Sequence, residues 1–308
     1  MGYRLVNSLL TLVLVSFVSF AAVEFAPGDP AEMLLGGASK ELSAEALARV
    51  RAAHGLNQPM WKRYVGWLKL VAGGNLGVSL RTNRNVTAEF AARIPVTSAV
   101  AFGALSLATL AGLSLGVFAV IYEGRAVDHA IRAVVVACHS VPAFLIGLLL
   151  IYLCSFKLGW LPLYGVGGGS GLVLPVLTLG GIMGLSLARV VRNALLEAVH
   201  EEYFLAALGK GLSYPQAVLR HGLRNSLTLV VSYLGMRFAG LLGGVVLIES
   251  VFSLPGMGSY ILEAILGRDY PVIQAYMLFF CAVVLAANLL ADLLVRGIDP
   301  RAAVAGIH

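Results

Sequence analysis

The residues with chemistry to offer lie in two places. Between two long apolar runs sits a polar stretch, Val191 to Asn225, reading VRNALLEAVHEEYFLAALGKGLSYPQAVLRHGLRN. At its centre Tyr203-Phe204-Leu205-Ala206-Ala207-Leu208 is an unbroken apolar run, followed by Gly209-Lys210-Gly211. Such a run stays in a water-facing loop only where something covers it. Covering Tyr203, Phe204 and Leu208 contributes about 1.5–3 kcal/mol each, enough for specific docking. The cover is either a second protein or the chain's own helices, and the residues alone leave both open. The second place is Arg237, alone in an apolar run and about ten residues into it, or ~15 Å at the helical rise. A charge near a bilayer midplane costs at least ~2.5–3.5 kcal/mol, so it must face a partner or a water-filled cavity. Gly235, Gly240, Gly243 and Gly244 beside it leave room for close helix approach or for a passing solute. Arg237, Gly240 and Gly244 are therefore candidate pathway residues. An ion pair with another chain, or snorkelling, would also satisfy Arg237.

Bond-breaking chemistry finds little support. Lys210 sits in LGKGLS, without the upstream glycine or the GK[ST] order of a phosphate-binding loop, so the chain is not expected to use ATP itself. No Ser/His, paired-Asp or HExxH arrangement falls within the apolar runs, which argues against an intramembrane protease or lipid hydrolase. Cys138-His139 lacks a third ligand at compatible spacing, and Cys138, Cys154 and Cys281 read as small buried hydrophobes. Asn288 and Asp292, four apart on one helical face, suit a hydrogen bond between helices.

Only 12% of the 308 residues are charged and 59% are hydrophobic. Soluble domains carry about 25% charged residues, so the chain is an integral membrane protein. Its net charge of +6 follows from basic residues flanking apolar runs, where they set topology and meet lipid; nucleic acid is not implied. Six runs are long enough to span: Leu5–Val23, Val96–Tyr122, Ile131–Phe156, Leu172–Val191, Leu227–Val251 and Val272–Val295. The first is too long for a signal-peptide core and is read as a retained helix. The short segments assigned inside hold Arg4, Arg125, Arg132, Arg189, Arg192, Lys210, Arg220, Arg224, Arg296 and Arg301, against Lys157 and Arg268 in the two short outer loops. Both termini are therefore expected in the cytosol.

Three parts follow: a first transmembrane helix (1–23), an extracytoplasmic insertion (24–95) and a five-helix core (96–308) carrying the 191–225 loop. The insertion is too long for a linker and is expected to be helical. Ser43 can cap a helix reaching His54, with Gly55 as its stop. A second helix fits Pro59–Ala72, with Trp61, Tyr64, Val65 and Leu68 as one apolar stripe. This insertion serves as a cap on the bundle or lipid interface, as a docking surface for an external partner, or as both. Val86–Arg93 reads as a short interfacial helix, with Pro95 opening the second span. In the cytosolic loop, Glu201–Leu208 forms one helix and Ser213, with Gln216 three residues on, opens a second by a capping box. Phe252, Pro255, Gly256 and Met257 form a turn at the candidate outer mouth, followed by a short amphipathic helix.

EEYFLAALGKGLSYPQAVLRHGLRNSL resembles the EAA loop of ATP-binding-cassette (ABC) importer permeases. More narrowly, the chain is similar to the B-type permease of the dipeptide, oligopeptide and nickel importer family. PGDP at Pro27–Pro30, HGLNQPMWKRYVGWL at His54–Leu68, LGWLP at Leu158–Pro162, ESVFSLPGMG with RDYPVIQ between Glu249 and Gln274, and NLLADLLVRGIDPR at Asn288–Arg301 agree in order along nearly the whole chain. The resemblance implies a non-enzymatic permease subunit in a bacterial inner membrane. It further implies a second, C-type permease, two ATPase subunits that bind ATP and Mg, and an extracytoplasmic substrate-binding protein, with no cofactor in this chain. Ala206, Ala207, Lys210 and Gly211 take the places of the motif's small residues, basic residue and glycine, and Tyr203, Phe204 and Leu208 join them as coupling residues. Leu205 and Leu208 stand where arginines are common, and Leu229 where a proline usually follows the RN pair. Di- and oligopeptides are the implied substrates, with nickel or a metal chelate as the alternative. A free-standing carrier would leave the apolar helix unexplained.

Overall fold

The structure is a computed structural model that describes residues 2–25, 44–53, 57–162 and 168–298. The Pro27–Pro30 motif, Ser43, His54, Gly55 and Arg301 lie outside the described residues. Five described helices are long and apolar enough to cross a membrane, or six if one bent pair counts as a span. The chain divides into two compact units, one of Met1–Ile94 with Tyr260–Leu285, the other of Pro95–Ser259 with Ala286–His308.

In the first unit, α1 (Gly2–Glu24) is the leading apolar helix, and α2 (Ala44–Ala53) and α3 (Met60–Ala72) follow it. The Tyr64 hydroxyl of α3 meets the Ser16 hydroxyl of α1 at 2.8 Å, and its ring contacts Phe17 and Phe20. Arg63 pairs with Glu24 at 2.5 Å. Only part of the expected stripe on α3 is packed. Trp61 is 63% exposed and Val65 43%, because the face that meets α1 is the one carrying Arg63, Tyr64 and Trp67. A short turn closed by a bridge between Val78 and Asn85 is held by Asp269, whose carboxylate accepts from the Ser79 hydroxyl and from the Leu80 amide at 3.0 Å. Phe90 packs edge-on against Tyr260 and Phe279.

The interfacial helix expected at Val86–Arg93 does not stop at Pro95. One helix, α4, runs from Val86 to Ile121 with Pro95 inside it. An interior proline costs about 3 kcal/mol in an ordinary helix, but spanning helices tolerate it where packing restrains both sides. Here Val86 and Phe90 are buried before it, and Val100, Ala101 and Ala104 after it.

The second unit is built around α7 (Val173–Val199). Two glycine pairs at four-residue spacing, Gly112/Gly116 on α4 and Gly180/Gly184 on α7, let these helices approach closely. A methyl group at Gly112 would lie 2.7 Å from Leu187, and one at Gly116 would lie 2.6 Å from Val191. The expected third span, Ile131–Phe156, is broken: α5 (Ala126–His139) and α6 (Ala143–Leu150), which continues as a π-helical stretch to Lys157, meet at 103°. Pro142 at the start of α6 supplies the break, since it lacks an N–H and disfavours a helical residue before it. A 3₁₀ turn, Gly168–Leu172, leads into α7.

After α7 come α8 (Glu202–Gly209), α9 (Tyr214–Ala217) and α10 (Leu223–Val251). A π-helical stretch joins α9 to α10, so one helical run extends from Tyr214 to Val251. The residue at 229 is Leu, and the run passes through it without a break. Two further helices close the chain, α11 (Met257–Leu266) and α12 (Tyr270–Ile298).

Candidate coupling and pathway surfaces

The apolar helix of the polar loop is α8, and it divides by face. Phe204 has no exposed surface and Ala207 has 5%. Phe204 joins Leu187, Val191 and Leu195 of α7 and Val218 and Val230 of the α9–α10 run in one buried cluster, with its ring 5.9 Å from that of Tyr214. Leu208 packs against the same cluster. These three residues, expected on a docking face, instead seat α8 on the chain's own bundle. Tyr203 (38%), Leu205 (59%), Ala206 and Lys210 point away from the bundle and remain exposed. The chain's own helices therefore cover one side of α8 and leave the other bare.

The turn that ends α8 is set by backbone. Gly211 has φ +90°, a conformation closed to most side chains, although open space surrounds the position a methyl group would take. Its N–H reaches the Leu208 carbonyl at 2.9 Å, and the Lys210 N–H reaches that of Ala206 at 3.1 Å, so the last carbonyls of α8 are satisfied. The expected capping box forms, with the Ser213 amide donating to Gln216 Oε1 at 3.0 Å.

On α10 the candidate pathway residues separate. Arg237 is exposed, with its guanidinium 5.4 Å from the centre of the Tyr233 ring. A methyl group added at Gly240 or Gly243 would have nothing within 4 Å, and both glycines share an exposed face with Met236 (70%) and Leu247 (54%). Gly244 turns the other way: a methyl group there would lie 3.1 Å from Leu179, and one at Gly235 would lie 2.5 Å from Ala291, so both are packing positions. Asn288 and Asp292 of α12 line a cavity of about 350 Å³ together with Ser232 and Gly235 of α10.

The candidate mouth is mostly interior. Phe252 and Met257 are 2% exposed and Gly256 is buried, leaving Pro255 at the surface. What organises this turn is Glu249, a fully buried carboxylate to which the sequence alone assigns no role. It accepts from the Thr97 hydroxyl at 2.5 Å, the Gly258 amide at 2.6 Å and the Ser259 amide at 3.1 Å. Thr97 in turn accepts from the Met257 amide at 2.8 Å. The first amides of α11 are thereby capped by a side chain from the end of α10. Gly256 and Gly258 are needed because a methyl group on either would meet Glu249. The available signal is a lone acid within an apolar run, seven residues before a glycine.

A second polar pair gives even less local signal. Asp128, 1% exposed, receives Arg192 in a two-pronged pair at 2.8 and 2.9 Å and the Gly124 amide at 3.2 Å, which fixes the α4–α5 turn to α7. His139 Nε2 meets the Ser186 hydroxyl at 2.9 Å. It is thus satisfied at the bend where α5 ends, whereas a continuous third span would hold it in mid-helix. Among the described residues, no three His, Cys, Asp or Glu side chains are grouped to hold a metal ion.

With this geometry in place, the chain can be set beside known proteins. Residues 86–304 match the family described as binding-protein-dependent transport system inner membrane component, and residues 1–101 match its N-terminal family. The glutathione transport system permease protein GsiC of Escherichia coli CFT073 is 36% identical over 297 residues, 96% of each chain. The same protein of Escherichia coli K12 is 35% identical, and that of Salmonella typhi 36%, over the same share. Among solved structures, an inward-facing conformation of the MetNI methionine ABC transporter aligns with a TM-score of 0.57 at 21% identity, covering 68% of this chain and 95% of that one. An amino acid ABC transporter with histidines gives 0.55 at 17%, covering 68% and 94%. These two likenesses concern the fold.

Proposed function

The chain belongs to the binding-protein-dependent transport system inner membrane components, and from that premise we propose how its surfaces divide the work. It is a multi-pass permease subunit of an ABC importer in the bacterial inner membrane, and ATP hydrolysis resides in other subunits.

In the proposed arrangement α8 is the coupling helix. Its exposed face of Tyr203, Leu205, Ala206 and Lys210 docks on an ATPase that binds ATP and Mg, while Phe204 carries the movement into α7 and α10. The observation behind this is the two-sided character of α8, with one face in the core and the other bare. Both chain termini and α8 then face the cytosol, and the 24–95 insertion faces the substrate-binding protein. ATP-driven closure of the ATPases pushes α8 and switches the bundle between inward- and outward-open forms.

The exposed face of α10, with Arg237, Gly240 and Gly243, faces a homologous second permease across the pathway. Arg237 there attracts the carboxylates of a peptide. Peptides of a few residues are the proposed substrate class, supported by relatives named for glutathione, itself a tripeptide.

Vesicles holding the assembled transporter and its binding protein provide the test. Labelled glutathione and dipeptides should enter only with ATP, and nickel should not. Nickel uptake without peptide uptake would overturn the substrate class. Normal uptake by Gly211→Val protein that is present in the membrane would overturn the coupling role.

A further inference from the structure

Between α5 and α7 lies a cavity of about 450 Å³ that the transport reading does not use. Its lining is divided. Arg132, Arg189 and Arg192 supply cationic donors, and Ile131, Val135 and Ala188 supply an apolar wall.

The charges there do not cancel. Two of the three guanidinium groups share one carboxylate, that of Asp128, which holds Arg192 at 2.8 Å and Arg132 at 3.4 Å. Among the described residues Arg189 has no acidic partner, so two positive charges remain in excess. Arg132 also meets His129 Nδ1 at 2.6 Å, which adds no compensating negative charge. Because Asp128 is 1% exposed and grips Arg192 with both oxygens, that guanidinium is fixed in advance, and a ligand need not order it.

Arginines converging beside an apolar wall match a phosphodiester that carries hydrocarbon. Guanidinium forks bind phosphate oxygens in pairs, and basic pockets between spanning helices accept anionic head groups. Val136, 66% exposed, extends that wall along α5 and gives acyl chains a surface. A soluble anion would cover the arginines and leave that apolar wall bare. We propose that this cavity is a binding site for an anionic phospholipid, with its phosphate held by Arg132, Arg189 and Arg192 and its chains along α5.

Native mass spectrometry of the purified assembled transporter tests this, after equilibration in detergent with phosphatidylglycerol, phosphatidylcholine or inorganic phosphate. Phosphatidylglycerol should remain bound where phosphatidylcholine does not, and millimolar phosphate should not displace it. Arg189→Gln and Arg132→Gln should each lower retained phosphatidylglycerol by about tenfold, the scale of one charge-assisted hydrogen bond. Arg224→Gln, at an exposed arginine outside the cavity, should leave it unchanged. Equal retention of the two lipids, or wild-type retention in both cavity variants, would overturn the proposal. Displacement by phosphate would reassign the cavity to a free anion, and displacement by glutathione would reassign it to the transported peptide.

Discussion

The two ends of α10 are each joined to a short helix, and by opposite means. At the Leu223 end, α8 is seated by hydrocarbon: Phe204 is buried in a cluster with α7 and the α9–α10 run, and Ala207 is buried beside it. At the Val251 end, the start of α11 is held by hydrogen bonds: Glu249 accepts from Thr97 and from two amides of the next helix. Apolar packing is non-directional, so a seat of this kind can transmit a push while allowing small rotations. A buried carboxylate with three donors has one good geometry. One end of α10 therefore suits a moving joint and the other a fixed one.

The largest effect should come from the fixed end. Glu249→Ala leaves a half-buried hydroxyl and two amides without an acceptor, each worth up to about 1–3 kcal/mol when unpaired. Thermal unfolding of the purified transporter should show the greatest loss here, and Glu249→Gln, which keeps an acceptor, should lose less. Equal losses would mean that the charge of Glu249, and not its acceptor oxygens, organises the turn. At the moving end, Phe204→Ala removes a buried ring and should cost about 3–4 kcal/mol, with uptake lost. Phe204→Leu should restore most of the stability. Recovery of uptake along with it would show that any well-packed apolar group transmits the motion.

How legible these ends are in the sequence follows from the same physics. The α8 boundaries, the turn at Gly211 and the capping box of Ser213 and Gln216 are local, set by glycine and residue spacing, and they follow from the sequence to within a residue or two. The spans follow from hydrophobic run length, but the bend at Pro142 and the continuity through Pro95 do not. Proline marks a possible break in both places, and packing before and after it decides the outcome. The same applies to α8. The residues that make an apolar helix are plain, but which face meets the bundle depends on Leu187, Leu195 and Val230, remote in sequence. Glu249 and Asp128 are hardest, because an acid beside or within a span signals importance without naming its partner.

An intermediate effect is expected at Gly211. With φ +90°, Gly211→Val forces a β-branched residue into a left-handed turn, at about 1–2 kcal/mol. No neighbour is struck, since open space surrounds the site. The helix should therefore persist with its exit redirected. Assembled protein should hydrolyse ATP while uptake falls, and a variant that transports normally would mean that the joint does not depend on this turn.

The smallest change in stability should accompany one of the largest changes in function. Leu205 is 59% exposed and stands outside the buried cluster, so Leu205→Asp should alter unfolding by less than about 0.5 kcal/mol. If the bare face of α8 docks on an ATPase, a new carboxylate there is buried unpaired on assembly, and the ATPase should co-purify poorly. Ala206→Asp, on the same face, should do likewise, whereas Glu202→Gln at the edge of the helix should be tolerated. Should both aspartate variants retain the ATPase and transport, the exposed face would have no docking role. The apolar seat of Phe204 would then be ordinary packing, no more of a joint than the capped turn at Glu249.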